Sequence, residues 1–137
     1  MAAQRVPDVV LAGLAAAVLS GAPSTLAALL RGRDPLEATY AAGSLLLPRE
    51  RRRERLLLAA VPVHLALSLV WTFILARALP RPPRRPLGAL AGLAIAGADL
   101  GLVGRRFPRI RTLPLAPQLA DHALFGIVVA EVLRRRG

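Results

Sequence analysis

The sequence predicts an all-α integral membrane protein: a bundle of four transmembrane helices with one short interfacial or re-entrant helix at about 35–47. Hydrophobic residues make up 55% of the 137 residues and the mean hydropathy is +0.50, although the formal net charge is +11. The charged residues fall in short blocks between long apolar runs. A bilayer requires this segregation, because each spanning helix needs about 20 apolar residues while its flanks lie in water or headgroups. We therefore expect one membrane domain, residues 1–137.

Four apolar runs are long enough to be spans one to four. They cover about 7–30, 56–76, 87–104 and 118–133. Pro23 removes one backbone hydrogen bond inside span one, so we expect a kink there, with the hydroxyls of Ser24 and Thr25 available to the freed carbonyls. Span one also has the composition of a signal peptide. Pro23 directly follows the small-residue stretch 20–22 and disfavours cleavage there, so we expect an uncleaved helix.

The short helix is predicted by the start signal that precedes it. Asp34 is the expected N-cap, Pro35 the first helical residue, and Glu37 occupies the capping-box position. The helix should stop before Pro48. Its thirteen residues reach only about 20 Å, short of the roughly 30 Å of a hydrocarbon core, so we expect it not to cross.

Small residues recur at four-residue intervals in spans one and three. They are Gly13, Ala17 and Gly21 in span one, and the pairs Gly88/Gly92 and Gly97/Gly101 in span three. Because these positions carry little or no side chain, a neighbouring backbone can approach closely. We therefore expect these stripes to lie at contacts between helices.

All nineteen basic residues are arginine, as is typical of a GC-rich genome, and they flank the spans. They are not interleaved with aromatic residues on a polar surface, so we expect anionic membrane lipid and not nucleic acid as their partner. The loops after spans one and three carry eleven arginines, whereas the termini and the second loop carry eight. We expect a multi-pass protein of a bacterial cytoplasmic membrane, and the positive-inside rule favours both termini outside.

Ionisable side chains inside the spans are the candidate functional residues, since burying them in a bilayer is costly. Counting along each helix places them in one membrane half, together with two hydroxyl groups of span one. The set is Ser24, Thr25, His64, Asp99, Asp121 and His122. Span two has one polar face by helical spacing. Its members are His64, Ser68, Trp71 and Thr72. We therefore expect a single polar pocket at the centre of the bundle, opening towards four arginines. These are Arg31, Arg33, Arg105 and Arg106.

A buried carboxyl group paired with an imidazole suits proton transfer. In this interpretation Asp99 or Asp121 is the general acid or base, with His122 and His64 as partners or orienting groups. Substrate would be held by the remaining polar residues. These are Ser24, Thr25, Arg105 and Arg106. A simpler structural interpretation also fits, in which each carboxylate reaches the interface, pairs with a nearby arginine, or stabilises a helix start.

The composition narrows the chemistry further. The chain has no cysteine, which excludes disulfides, thiolate metal ligands and cysteine nucleophiles. No metal-ligand spacing such as HExxH occurs, so neither a metal nor another cofactor is expected. We therefore expect either an enzyme that cyclises or isomerises a lipid or isoprenoid substrate, a proton-coupled small transporter or channel subunit, or a non-catalytic scaffold. Each of these is compatible with a homo-oligomer or a larger membrane complex, and the sequence does not decide whether the chain is an enzyme.

Overall fold

The computed structural model describes residues 4–137, and this part of the chain contains helices and no strand. Four helical segments are long and apolar enough to cross a membrane. They run Val6–Leu30, Arg53–Ala78, Arg85–Arg106 and Leu115–Arg136. Each contains one of the predicted spans and extends it by a turn or less. The predicted all-α class with four candidate spans is confirmed to this extent.

The individual elements follow in chain order. They are α1 (Val6–Leu19), α2 (Ala22–Leu30), α3 (Glu37–Gly43), α4 (Arg53–Ala78), α5 (Arg85–Ala96), α6 (Pro108–Arg111) and α7 (Leu115–Arg136). Span one consists of α1 and α2, separated by a break at Ser20 and Gly21. Pro23 lies in the first turn of α2. The backbone N–H groups of a first turn have no acceptor within their own helix, so a proline there costs α2 no hydrogen bond. The helix is therefore interrupted close to the predicted kink, but just before the proline.

Helix α7 occupies the centre of the bundle. It packs against α5, α1 and α2, and α1 also packs against α4. The contact between α5 and α7 is backbone to backbone: a Cβ added at Gly88 or Gly92 would collide with the carbonyl of Gly126 or His122, respectively. The first predicted glycine pair is thus a helix contact. The second pair is not, because nothing lies within 4 Å of a Cβ built at Gly97 or Gly101. These two glycines belong to a π-helical segment, Gly97–Val103, that continues α5.

Helix α3 is shorter than predicted. The Asp34 carboxylate accepts the Leu36 N–H at 2.9 Å, so it caps a turn at 35–36 and the helix begins at Glu37 instead of Pro35. The seven residues of α3 end at Gly43, which packs against the backbone of Leu56 in α4. Asp34 also pairs with Arg53 at 3.2 Å, which joins the start of this segment to the start of α4. Because residues 34 and 53 are in contact, the chain between them, which includes α3, begins and ends at the same end of the bundle.

Candidate functional site

The main cavity has a volume of about 450 Å³ and lies among α2, α4, the π-helical segment and α7, with α3 against one side. Its walls are mostly apolar or small side chains. Six of the eight residues predicted from the sequence line it. They are Ser24, Thr25, His64, Asp99, Asp121 and His122. Arg105 and Arg106 are exposed and do not line it, so they do not form the rim that we expected. The polar side chains from four spans therefore do meet around one space.

The break in span one accounts for this space. Before the break, α1 packs against α4 and α7; after it, α2 keeps its contact with α7 and separates from α4. The gap between α2 and α4 becomes the cavity, and Thr25, His64 and Leu67 on its two walls are exposed. Gly21 lies at the break and has no atom within 4 Å of a built Cβ. It borders the cavity instead of forming the helix contact predicted for it.

Asp99 and His122 form the central polar pair. The imidazole Nε2 lies 3.5 Å from Asp99 Oδ2, and both side chains are more than three-quarters buried, with exposures of 18% for His122 and 24% for Asp99. His122 Nδ1 lies 2.8 Å from the Gln118 carbonyl oxygen, so Nδ1 carries a hydrogen and donates it. A neutral imidazole then presents an acceptor at Nε2, opposite an acceptor oxygen of the carboxylate. The two groups attract each other only when a proton lies on one of them.

Trp71 extends this pair to a third helix. Its indole Nε1–H donates to Asp99 Oδ1 at 3.2 Å, so both oxygens of Asp99 face a partner. The resulting arrangement runs from α4 through the π-helical segment to α7. Trp71 belongs to the polar face predicted for span two, and the sequence analysis did not connect it to Asp99.

The π-helical segment around Asp99 was not predicted. Gly97 and Gly101 each lie two residues from Asp99. Glycine is unfavourable in the interior of an α-helix. Two glycines flanking a polar residue inside an apolar span are the signal that could have indicated the irregular backbone. Short π-helical turns occur frequently at functional sites, where they change the direction in which a side chain projects.

Asp121 and His64 hold the break in span one. Asp121 Oδ1 accepts the backbone N–H of Ser24 at 2.8 Å. This N–H lies in the first turn of α2, where the helix itself offers no acceptor. His64 Nε2 lies 2.7 Å from the carbonyl oxygen of Ala17, near the end of α1, and donates a hydrogen to it. The Ser24 hydroxyl donates to the Gly21 carbonyl at 3.2 Å, as expected for a kink. The side chains of Asp121 and His64 therefore stabilise the backbone on the two sides of the break.

The described residues, 4–137, contain no group of three or more His, Asp or Glu side chains placed to hold a metal ion. No protein family, curated protein or solved structure matches this chain.

Proposed function

We propose that the chain is a multi-pass protein of a bacterial cytoplasmic membrane and that it catalyses acid–base chemistry, a cyclisation or an isomerisation, on a lipid or isoprenoid substrate. The membrane placement is supported by the four long apolar helices. It is supported further by large apolar side chains on the outside of the bundle, such as Val18, Leu58 and Leu102, which are 81%, 74% and 72% exposed. A surface of this kind is unfavourable in water and suits a hydrocarbon surrounding.

The observation that carries the proposal is the Asp99–His122 pair in the wall of a mostly apolar cavity. A pair that holds one proton can donate it to a carbon–carbon double bond of the substrate and take another proton back from an adjacent carbon. The substrate exchanges one hydrogen, keeps its elemental composition and changes only in connectivity or double-bond position. Neither an oxidant nor a cofactor is needed, and apolar walls keep water away from the cationic intermediate. The indole of Trp71, which also lines the cavity, can stabilise that cation.

The shape of the cavity agrees with an apolar substrate. About 450 Å³ is within the range of roughly 300–1,000 Å³ that is usual for small-molecule sites. The cavity opens between α2 and α4, on the side of the bundle, where Thr25, His64 and Leu67 are exposed. In a membrane this opening would meet the lipid phase, so an apolar molecule could enter without crossing water.

The test compares lipids that co-purify with the wild-type chain and with Asp99→Asn, both isolated from the cells that produce the protein naturally. Asn keeps the shape and a hydrogen-bond acceptor but has no carboxylic proton to donate. We expect the two extracts to contain species of equal mass and different chromatographic retention, the product with wild type and the unreacted isomer with Asp99→Asn. Asp8→Asn is the matched control, because Asp8 lies in the first turn of α1 and does not line the cavity.

Identical lipid species in wild type and Asp99→Asn, at equal protein abundance, would rule out acid–base catalysis by this pair. Bound lipid in both would then favour a non-catalytic lipid-binding role. The same change in Asp8→Asn as in Asp99→Asn would show that the effect comes from altered folding or insertion, and this too would contradict the proposal.

A further inference from the structure

A second, smaller cavity of about 190 Å³ adjoins the main one. It is formed by the end of α2, the residues that lead into α3, and the segment before α7. Several residues line both cavities, which shows that the two spaces are neighbours. They are Ser24, Pro35, Ala38, Leu113 and Gln118. The smaller cavity lies beside the polar loops, whereas the main cavity extends between the apolar helices.

Four charged side chains line the smaller cavity, and only the two acidic ones have ion-pair partners. Asp34 pairs with Arg53 at 3.2 Å. Glu37 pairs with Arg109 at 3.6 Å. In the described part of the chain, the guanidinium groups of Arg31 and Arg33 have no such acidic partner. Because Arg53 and Arg109 already neutralise these two carboxylates, the positive charges of Arg31 and Arg33 are left without a counter-charge at the cavity.

The backbone fixes where these two arginines lie. Helix α2 ends in a Schellman motif, in which the N–H of Arg33 donates to the Ala28 carbonyl at 2.8 Å and the N–H of Gly32 donates to Leu29 at 3.1 Å. Gly32 has φ +63°, a conformation that residues with a side chain rarely adopt. This turn places Arg31 and Arg33 on either side of one glycine, so their positions are set by hydrogen bonds of the backbone.

We infer that Arg31 and Arg33 bind the phosphate or diphosphate group of an amphipathic ligand whose apolar chain occupies the main cavity. The inference rests on the proposed function, since it assigns a substrate class to the same site. A guanidinium group presents parallel N–H donors that match two phosphate oxygens, and such charge-assisted hydrogen bonds are short and strong. All four arginines were expected at the opening, with the binding role given to Arg105 and Arg106. Those two border neither cavity, so Arg31 and Arg33 take that role.

Binding can be measured without catalysis, because Trp71 is the single tryptophan of the chain and lines the main cavity. The full chain in phosphatidylcholine nanodiscs is titrated with a prenyl diphosphate, the corresponding prenyl alcohol and inorganic diphosphate. We expect the prenyl diphosphate to change Trp71 fluorescence with a Kd about tenfold or more below that of the alcohol, the equivalent of at least one charge-assisted hydrogen bond. Inorganic diphosphate should leave the emission unchanged and compete weakly.

The double variant Arg31→Gln/Arg33→Gln should lose this preference and bind both amphiphiles like the alcohol. Unchanged alcohol binding in this variant shows that the main cavity is intact. The matched control is Arg105→Gln/Arg106→Gln, which removes the same number of positive charges at residues that line neither cavity and should keep the wild-type preference.

Equal affinity for the diphosphate and the alcohol in wild type would overturn the inference, as would an unchanged preference in the Arg31/Arg33 variant. Inorganic diphosphate binding as tightly as the prenyl diphosphate would show a site for a free anion, and this too contradicts an amphipathic ligand. If neither the prenyl diphosphate nor the prenyl alcohol changed Trp71 fluorescence, the inference would also be overturned. Arginine-dependent binding together with identical lipid extracts from wild type and Asp99→Asn would refute only the proposed reaction.

Discussion

Asp99 and Asp121 border the same cavity, yet their oxygens have different partners. Asp121 accepts a backbone N–H that the start of α2 leaves without an acceptor. Asp99 faces an indole N–H and an imidazole nitrogen from two other helices. A carboxylate bound to the main chain stabilises a conformation, whereas one paired with an imidazole can exchange a proton with it. We therefore assign the proposed proton transfer to Asp99 and His122, and a structural role to Asp121 and His64.

The role of Asp121 can be tested through stability. In Asp121→Asn the side chain keeps an acceptor for the Ser24 N–H, so we expect a small loss of stability. In Asp121→Leu this N–H is left without a partner, which should lower the unfolding free energy by about 1–3 kcal/mol. Denaturation followed by circular dichroism in nanodiscs or detergent measures both. If Asn destabilised the protein as much as Leu, the charge of Asp121 and not its acceptor oxygen would be what the fold needs.

At the scale of secondary-structure elements, two interruptions of regular α-helix form the site. The break between α1 and α2 opens the space, and the π-helical segment after α5 carries Asp99 into its wall. Both depend on a third element, α7, which supplies Asp121 to the break and His122 to Asp99. The close contact of α5 with α7, through Gly88, Gly92 and Gly126, sets the distance at which these side chains meet.

The glycine contact gives a prediction with an internal control. A Cβ at Gly92 would collide with the carbonyl of His122, so Gly92→Ala must separate α5 from α7. We expect a loss of about 1–3 kcal/mol, the usual effect of overpacking, together with weaker binding at the site. Gly101→Ala is the control, because a Cβ there meets nothing within 4 Å. Thermal unfolding measures the stability of both variants. Equal melting temperatures for Gly92→Ala and Gly101→Ala would contradict this account.

At the scale of the whole molecule, the polar features are divided between the two ends of the bundle. The cavities, α3 and the loops after spans one and three lie at one end. At the other end, Glu131 pairs with Arg85 from the start of α5 and with Arg134 and Arg135 from the end of α7. These arginines are exposed, and exposed ion pairs contribute little to stability. Their arrangement is nevertheless compatible with four crossings and both termini on one side.

The crossing pattern can be tested by labelling single cysteines, since the chain has none of its own. We expect Arg33→Cys and Arg51→Cys to react with an impermeant reagent from the same membrane face, because the Asp34–Arg53 ion pair brings both ends of the α3 segment together. Arg5→Cys and Arg84→Cys should react from the opposite face. Labelling of positions 33 and 51 from different faces would mean that α3 crosses the membrane and that four spans is the wrong number.

The sequence by itself determined the helical class and the four long apolar segments, and it predicted that the polar residues share one half of the bundle. These properties are local: a bilayer sets the length of an apolar run, and the rise of a helix converts a residue number into depth. Counting alone therefore placed six polar residues in the same half of the bundle, and all six line one cavity. They are Ser24, Thr25, His64, Asp99, Asp121 and His122.

Only the tertiary structure decided which of these groups meet. Ser24 and Asp121 are 97 residues apart, and their hydrogen bond depends on how α2 and α7 pack, which no local pattern encodes. The same holds for the arginines: Arg31 and Arg33 border a cavity and Arg105 and Arg106 do not, because depth follows from counting along one helix, whereas direction is set by contacts between helices.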